Sequence, residues 1–122
     1  MTNIEIARIL SSDIKQLQII GKQTFLETFS DGNSEENMKI YLEEGFSEEK
    51  LLTELNDPNA EFYFATSEGD VIGYLKLNFG ESQTELKDNS ALEIERIYVL
   101  KAFHGKSVGQ LLYKKAIEIA HQ

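Results

Sequence analysis

The sequence predicts an α+β (mixed α/β) fold in which a meander of antiparallel strands is flanked by helices. Three observations carry this prediction. Apolar residues alternate with period two near the N-terminus and again over residues 61–79, they take helical spacing between these two regions, and one more strand leads directly into a closing helix. A chain of 122 residues suits a single domain, 1–122, with one core.

The composition excludes several classes of function. The chain has no cysteine, which removes disulfides, thiolate metal ligands and cysteine nucleophiles and fits a reducing cytoplasm, the predicted location. No apolar run approaches the ~18 residues of a membrane span, and the N-terminus lacks the order of a signal peptide. A formal net charge of −9 disfavours nucleic acid and favours a cationic substrate. An acidity that only keeps the domain soluble is the alternative.

The N-terminal half is predicted to form one strand and three helices. Residues 2–9 alternate as a strand, with Ile4, Ile6 and Leu10 expected on one side. A first helix follows the N-cap candidates at 11–13 and breaks at 31–33, a second runs from Ser34 to Gly45, and a third follows Ser47 and stops at 57–59.

The C-terminal half is predicted to form a hairpin, one more strand and a helix. Strands at 61–67 and 71–79 are separated by a Gly-containing connection at 68–70, which is typical of a hairpin. A polar loop over 80–90 precedes a strand at 91–100, and the last helix begins at about Ser107.

Strict alternation in the strand at 91–100 predicts which side chains share a face. One face is expected to carry Leu92, Ile94, Arg96, Tyr98 and Leu100, and the other Glu93, Glu95, Ile97 and Val99. Two carboxylates would therefore lie beside two β-branched residues just before the closing helix.

The turn before the closing helix is a candidate anion site. Gly105 lets the backbone turn, and the first N–H groups of a helix have no partner within it. Gly109 costs roughly 1 kcal/mol against alanine in a helix interior, which suggests that something must approach closely there. The spacing matches neither a P-loop nor a dinucleotide fingerprint. A tight turn whose glycine only permits close packing is the alternative.

Residues 104–109, HGKSVG, resemble the Gln/Arg-x-x-Gly-x-Gly/Ala motif of the GCN5-related N-acetyltransferase (GNAT) superfamily, with Val99 five residues before the motif. His104 replaces the usual Gln or Arg, and Ser107 replaces the first Gly. Further segments, such as "GYLKLNFGESQTE" and "LEIERIYV", resemble bacterial spermidine/spermine N-acetyltransferases of the protease-production regulator type. The likeness covers essentially all of the chain.

The resemblance implies the acyl-CoA N-acyltransferase (GNAT) fold, acetyl-CoA as co-substrate and no metal. It also implies that the chain is a C-terminally incomplete GNAT domain, ending at the cofactor-binding helix and lacking the tyrosine that donates a proton in the family. The cofactor would be held by Ile97, Tyr98, Val99, His104, Gly105, Lys106, Ser107, Val108, Gly109 and Gln110.

For catalysis, the resemblance assigns the base-like carboxylate to Glu95, with Glu93 as second choice. The acceptor would be a polyamine or another primary amine, drawn by acidic residues of the first two helices, among them Glu27, Asp31 and Glu43. Two alternatives stay open. In one, Glu93 and Glu95 are only solvated or ion-paired strand carboxylates near Arg96. In the other, the chain is a CoA-binding regulatory module that forms a homodimer through the unpaired edge of its fourth strand.

Overall fold

A computed structural model describes residues 3–80 and 92–120 and shows four strands and four α-helices in these two ranges. In chain order they are β1 (Ile4–Arg8), α1 (Ile14–Phe29), α2 (Glu35–Gly45), α3 (Glu48–Leu55), β2 (Ala60–Ser67), β3 (Asp70–Phe79), β4 (Leu92–Val99) and α4 (Val108–Ala120). Short 3-10 turns lie at Ser11–Asp13 and Lys101–Phe103. Beyond Gly80, the predicted polar loop falls outside the described residues.

The strands form one antiparallel sheet in the order β1-β2-β3-β4, which confirms the predicted α+β meander. The hairpin between β2 and β3 is tighter than predicted, because only Glu68 and Gly69 connect the strands. Both residues have positive φ, 53° and 86°, as two-residue hairpin turns of the primed type require.

Two serine side chains set the starts of α2 and α3. The Ser34 hydroxyl accepts a hydrogen bond from the Asn37 N–H at 3.1 Å, and the Ser47 hydroxyl accepts one from the Lys50 N–H at 3.2 Å. Each bond satisfies one of the amide groups that a helix start leaves unpaired. These caps explain why the predicted boundaries of both helices are close to the observed ones.

The sheet separates two apolar clusters. On one face, the sheet packs against α1 and α3 through Leu17, Leu51, Phe62 and Tyr74; on the other, it packs against α4 through Leu75, Leu77 and Leu112. At the end of β1 the prediction was wrong by one residue. Ile9 is buried and Leu10 is exposed, because the 3-10 turn that follows β1 ends the strand alternation.

A bulge in β4 overturns the predicted distribution of its side chains. Lys76 pairs with Arg96 and Leu77 pairs with Ile94, so Glu95 is an extra residue without a cross-strand partner. As a result, Ile94 and Val99 both pack on the α4 side, whereas Tyr98 packs on the α1 side against Tyr74, with ring centroids 5.9 Å apart. Strict alternation predicts instead that Ile94 and Tyr98 share one face of the strand and that Val99 lies on the other.

At Gly73, the backbones of β3 and β4 leave no room for a side chain. A Cβ atom built there would lie 2.6 Å from the Tyr98 carbonyl oxygen and 3.3 Å from the Val99 Cα. Both neighbours are backbone atoms that cannot rotate away. Gly73→Ala is therefore expected to lower the free energy of unfolding by about 1–3 kcal/mol, measured by urea denaturation.

Gly45→Ala is the matched control for this substitution, since a Cβ at Gly45 meets no atom within 4 Å. This variant should be as stable as the wild type or slightly more stable. Equal urea midpoints for Gly73→Ala and the wild type would show that the two strands separate without cost.

Candidate active site

A groove of about 940 Å³ lies between the end of β4 and the start of α4. It is lined by Ile97, Val99, Phe103, His104, Gly105, Ser107, Val108, Gly109, Gln110, Tyr113 and Lys114. All the predicted cofactor residues line it except Tyr98, whose side chain lies on the other face, and Lys106. The sequence prediction missed Phe103, Tyr113 and Lys114.

The amide groups at the start of α4 have no partner among the residues that the structure describes. The first hydrogen bond at this end runs from the Leu111 N–H to the Ser107 carbonyl at 3.1 Å. No described acceptor receives the N–H groups of Ser107, Val108, Gly109 or Gln110, and the Ser107 hydroxyl does not cap the helix. These donors border the groove and form an arrangement suited to a phosphate.

The backbone of the loop is turned by two residues with positive φ. Gly105 has φ 82°, which glycine adopts freely. Ser107 has φ 65°, a conformation that costs a residue with a Cβ about 1–2 kcal/mol. This left-handed position is the one at which the resembling motif carries glycine.

Gly109 is not explained by packing within the protein. A Cβ atom built at Gly109 meets no atom of the described residues within 4 Å. The alternative that this glycine only permits close packing therefore fails. The open space on its face belongs to the groove.

The backbone N–H and carbonyl of Val99 point from the outer edge of β4 toward the groove. The Leu100 N–H donates to the Ile72 carbonyl at 2.8 Å, so the alternation of an antiparallel ladder directs the N–H and carbonyl of Val99 away from β3. The Val99 carbonyl lies 2.9 Å from Nε2 of His104. Because a carbonyl only accepts, this contact requires a proton on Nε2. His104 thus fastens the loop to β4.

The carboxylate cluster lies on the opposite face of the sheet, the α3 side. We use this name for Glu54, Lys76, Asn78, Glu93, Glu95 and Arg96. The Glu95 carboxylate accepts hydrogen bonds from Asn78 Nδ2 at 2.6 Å and from Lys76 Nζ at 2.9 Å, and it pairs with Arg96 Nε at 3.1 Å. Asn78 Nδ2 also donates to Glu93 at 3.0 Å.

Glu54 of α3 completes the cluster from the helix layer that covers this face of the sheet. Its two oxygens accept from the Arg96 guanidinium at 3.1 and 3.4 Å, and Lys76 Nζ lies 3.5 Å away. Lys76 is only 7% exposed, which is rare for a lysine and is explained by its two carboxylate partners. The cluster thus brings three carboxylates, two cations and one amide together on one face of the sheet.

The pKa of Glu95 reflects these contacts. Burial acts to raise it, but hydrogen bonds from Asn78 and Lys76 and the charge of Arg96 outweigh burial and hold the pKa below the ordinary 4.5. Glu95 is therefore ionised at neutral pH. The ion pair with Arg96 that the sequence left open as an alternative is present, together with a second pair to Lys76.

The predicted acidic wall is spread over the surface of α1 and α2. Glu27 accepts hydrogen bonds from the Lys101 N–H at 2.7 Å and from Gln23 Nε2 at 3.1 Å. The bond from Lys101 is the main reason that the pKa of Glu27 lies below 4.5. Glu27 thus joins α1 to the turn after β4. Asp31 and Glu43 are exposed. Within the described ranges, no hydrogen bond or ion pair links Glu27, Asp31 and Glu43 to one another.

Lys76→Met tests how the cluster is held together. Without this cation, the half-buried carboxylates of Glu54 and Glu95 lose one of their positively charged partners. We therefore expect the free energy of unfolding at pH 7 to fall by about 3 kcal/mol. Glu95 has a lowered pKa in the folded state, so its stabilisation is present above pH 4.5 and is lost as the pH falls through the folded value. The difference between variant and wild type should therefore narrow on acidification below pH 4.5, as measured by urea denaturation at each pH. A constant difference would contradict the role of the charge.

Residues 3–80 and 92–120 contain neither a metal-binding cluster nor a helix that could span a membrane. No group of three or more His, Cys, Asp or Glu side chains is placed to hold a metal ion. No helix is long and apolar enough to cross a membrane.

Comparison with known proteins places this arrangement in a family. Residues 22–122 match the family model of the acetyltransferase (GNAT) family. The chain is 39% identical over 118 residues to an uncharacterized N-acetyltransferase in the pepI 3′ region of Lactobacillus delbrueckii subsp. lactis, covering 97% of this chain and 68% of that protein. It is 26% identical over 121 residues to the spermidine N(1)-acetyltransferase of Thermoplasma acidophilum, covering 96% and 70%.

A solved structure shows the same fold. The PaiA N-acetyltransferase of Thermoplasma acidophilum, crystallised in complex with coenzyme A, superposes with a TM-score of 0.81 at 24% identity and covers 98% of this chain and 72% of that one. The four-stranded sheet with the groove at its last strand therefore has the fold of that N-acetyltransferase. The chain belongs to the GNAT family of N-acetyltransferases.

Proposed function

We propose that this acetyltransferase moves an acetyl group from acetyl-CoA to a primary amine of a small polyamine of the spermidine or spermine kind. One observation carries the cofactor part of the proposal: the uncapped amides of residues 107–110 border an open groove in a member of the GNAT family. The relative named a spermidine N(1)-acetyltransferase supports the class of acceptor.

The groove residues would hold acetyl-CoA by main-chain contacts. The amides of Ser107 through Gln110 would bind the diphosphate, each dipole-favoured contact contributing ~0.3–1 kcal/mol. The outward N–H of Val99 would donate to the pantetheine arm or to the thioester oxygen. When bound, acetyl-CoA supplies an acetyl group already activated as a thioester.

Glu95 would prepare the acceptor amine. An amine must lose a proton before its nitrogen can attack, and Glu95 is an ionised carboxylate at the bulge in β4. Its lowered pKa makes it a weak base, so we propose that it attracts the ammonium group and passes the proton on through water. Glu93, which shares Asn78 with it, is the second candidate.

Charge favours a substrate with several ammonium groups. The chain carries a net charge of −9, and three carboxylates, Glu54, Glu93 and Glu95, lie together on the face that Glu95 occupies. Asp31 and Glu43 are exposed carboxylates that could attract a distal ammonium group, and Glu27 lies in the same helical layer while anchoring the Lys101 turn. Such long-range attraction weakens as salt is added.

A thiol-release assay tests the proposal directly, because the chain has no cysteine and gives no background. Spermidine should release CoA thiol with a kcat/KM at least about tenfold above that of butylamine, and the ratio should shrink with added salt. Kanamycin and a peptide with an N-terminal alanine are competing acceptors. A higher rate with either one would refute the polyamine assignment and leave the acetyltransferase intact.

Calorimetry with CoA and sedimentation distinguish an active acetyltransferase from the remaining alternative, a CoA-binding module without activity. A chain that binds CoA and forms a dimer, but releases no thiol with any of these amines, would favour the CoA-binding module. A chain that gives no binding heat with CoA would overturn the cofactor assignment itself.

A further inference from the structure

Lys114 is the one lysine or arginine among the described residues that lines the groove. It follows Gln110 by four positions on α4, so the two side chains lie on the same helix face, about 6 Å apart along the axis. Tyr113, 53% exposed, lines the groove beside it. An aromatic surface and a cation thus continue the groove beyond the amides at the helix start.

We infer that Lys114 binds the 3′-phosphate of the ribose of coenzyme A and so sets the preference for CoA over dephospho-CoA. This inference rests on the proposed function, because it assumes that the diphosphate sits at the amides of residues 107–110. Those amides are then occupied by the diphosphate. The additional phosphate of CoA carries its own charge and needs a separate partner within reach of the same groove.

The charge balance of the chain makes a local cation necessary. CoA is strongly anionic and approaches a protein with a net charge of −9, so the overall field opposes it. Near the amides, Lys106 does not line the groove, and its Nζ lies 5.8 Å from the centre of the Phe103 ring. Lys114 is the remaining side chain that brings a fixed positive charge to the groove wall.

Lys115 provides a matched control on the neighbouring position. Its Nζ lies over the Tyr63 ring at 5.6 Å, toward the sheet and away from the groove lining. Lys115→Gln therefore removes the same charge from the same helix without touching the groove. Lys114 is exposed, so Lys114→Gln should fold like the wild type, which circular dichroism checks.

The experiment is calorimetry with CoA and with dephospho-CoA on three proteins. The wild type should bind CoA roughly threefold to tenfold more tightly than dephospho-CoA. Lys114→Gln should lose this preference by weakening CoA alone, with dephospho-CoA unchanged. Lys115→Gln should keep it.

Two results would overturn the inference. If Lys114→Gln weakens both ligands equally, or leaves the ratio as it is, Lys114 does not contact the 3′-phosphate, while the proposed function stands. If the wild type binds neither ligand, the proposed function fails, and this inference fails with it.

Discussion

Glu95→Gln is expected to lower kcat for spermidine by about two to three orders of magnitude, because a neutral amide cannot take up the proton of the amine. Glutamine keeps the shape of the side chain and an oxygen that can accept from Asn78 and Lys76. The affinity for CoA should stay within about threefold of the wild type, because Glu95 lies on the face of the sheet opposite the groove. Steady-state kinetics and calorimetry measure the two quantities separately.

The pH profile gives this variant a second readout. The pKa of Glu95 lies below 4.5, so the residue is already ionised throughout the working range of pH. A fall in kcat/KM below pH 9 should therefore come from protonation of the amine substrate. In Glu95→Gln, this fall should occur at the same pH as in the wild type, while the maximal kcat/KM at high pH is lower. If the pH at which kcat/KM falls changes with the substitution, Glu95 itself titrates in this range.

Glu93→Gln is the control for the loss of activity. It makes the same chemical change two residues away and on a side chain that also receives a hydrogen bond from Asn78. We expect its kcat to fall by no more than about fivefold, less than a general base contributes. If kcat falls more in Glu93→Gln than in Glu95→Gln, Glu93 is the base and Glu95 is not. If kcat of Glu95→Gln stays within about threefold of the wild type, Glu95 serves only as a structural ion pair.

Gly109→Ala is expected to change stability and ligand affinity in opposite directions. In the part of the chain that the structure describes, no atom lies within 4 Å of the added methyl group, and alanine favours the helix by up to ~1 kcal/mol. The melting temperature should therefore hold or rise. The affinity for CoA should fall at least about tenfold, because the methyl group would stand beside amides that a diphosphate must approach closely.

Thermal denaturation without ligand and calorimetry with CoA measure these two effects. Gly45→Ala, the same substitution near the end of α2, should leave CoA affinity unchanged. Unaltered CoA binding by Gly109→Ala would mean that the missing side chain does not serve the ligand, and the proposed position of the diphosphate would have to be abandoned.

The groove could be predicted from the sequence because its residues are nearly contiguous. One strand end, one turn and the first helical turn bring residues 97–110 together within a short stretch of the chain. Tyr113 and Lys114 were missed because helical periodicity alone does not show which exposed positions border a neighbouring cavity. Their spacing of three and four residues from Gln110 was the available signal.

The carboxylate cluster could not be predicted in the same way. Glu93 and Glu95 were recognised, but Lys76, Asn78 and Glu54 come from β3 and α3. Two polar residues in the apolar strand at 71–79 were the only hint that something on the neighbouring strand must compensate them. The bulge at Glu95 depends on how β3 and β4 pair, and strict alternation within β4 cannot reveal it.

The fold class, the helix starts after Ser34 and Ser47 and the loop before α4 follow from the amino-acid sequence, because caps, turns and apolar periodicity act over a few residues. Which face of β4 carries each side chain, and which cations hold Glu95 ionised, depends on the assembled sheet. Those features arise between strands and helices that are distant along the chain, so their energies appear only once the sheet has assembled.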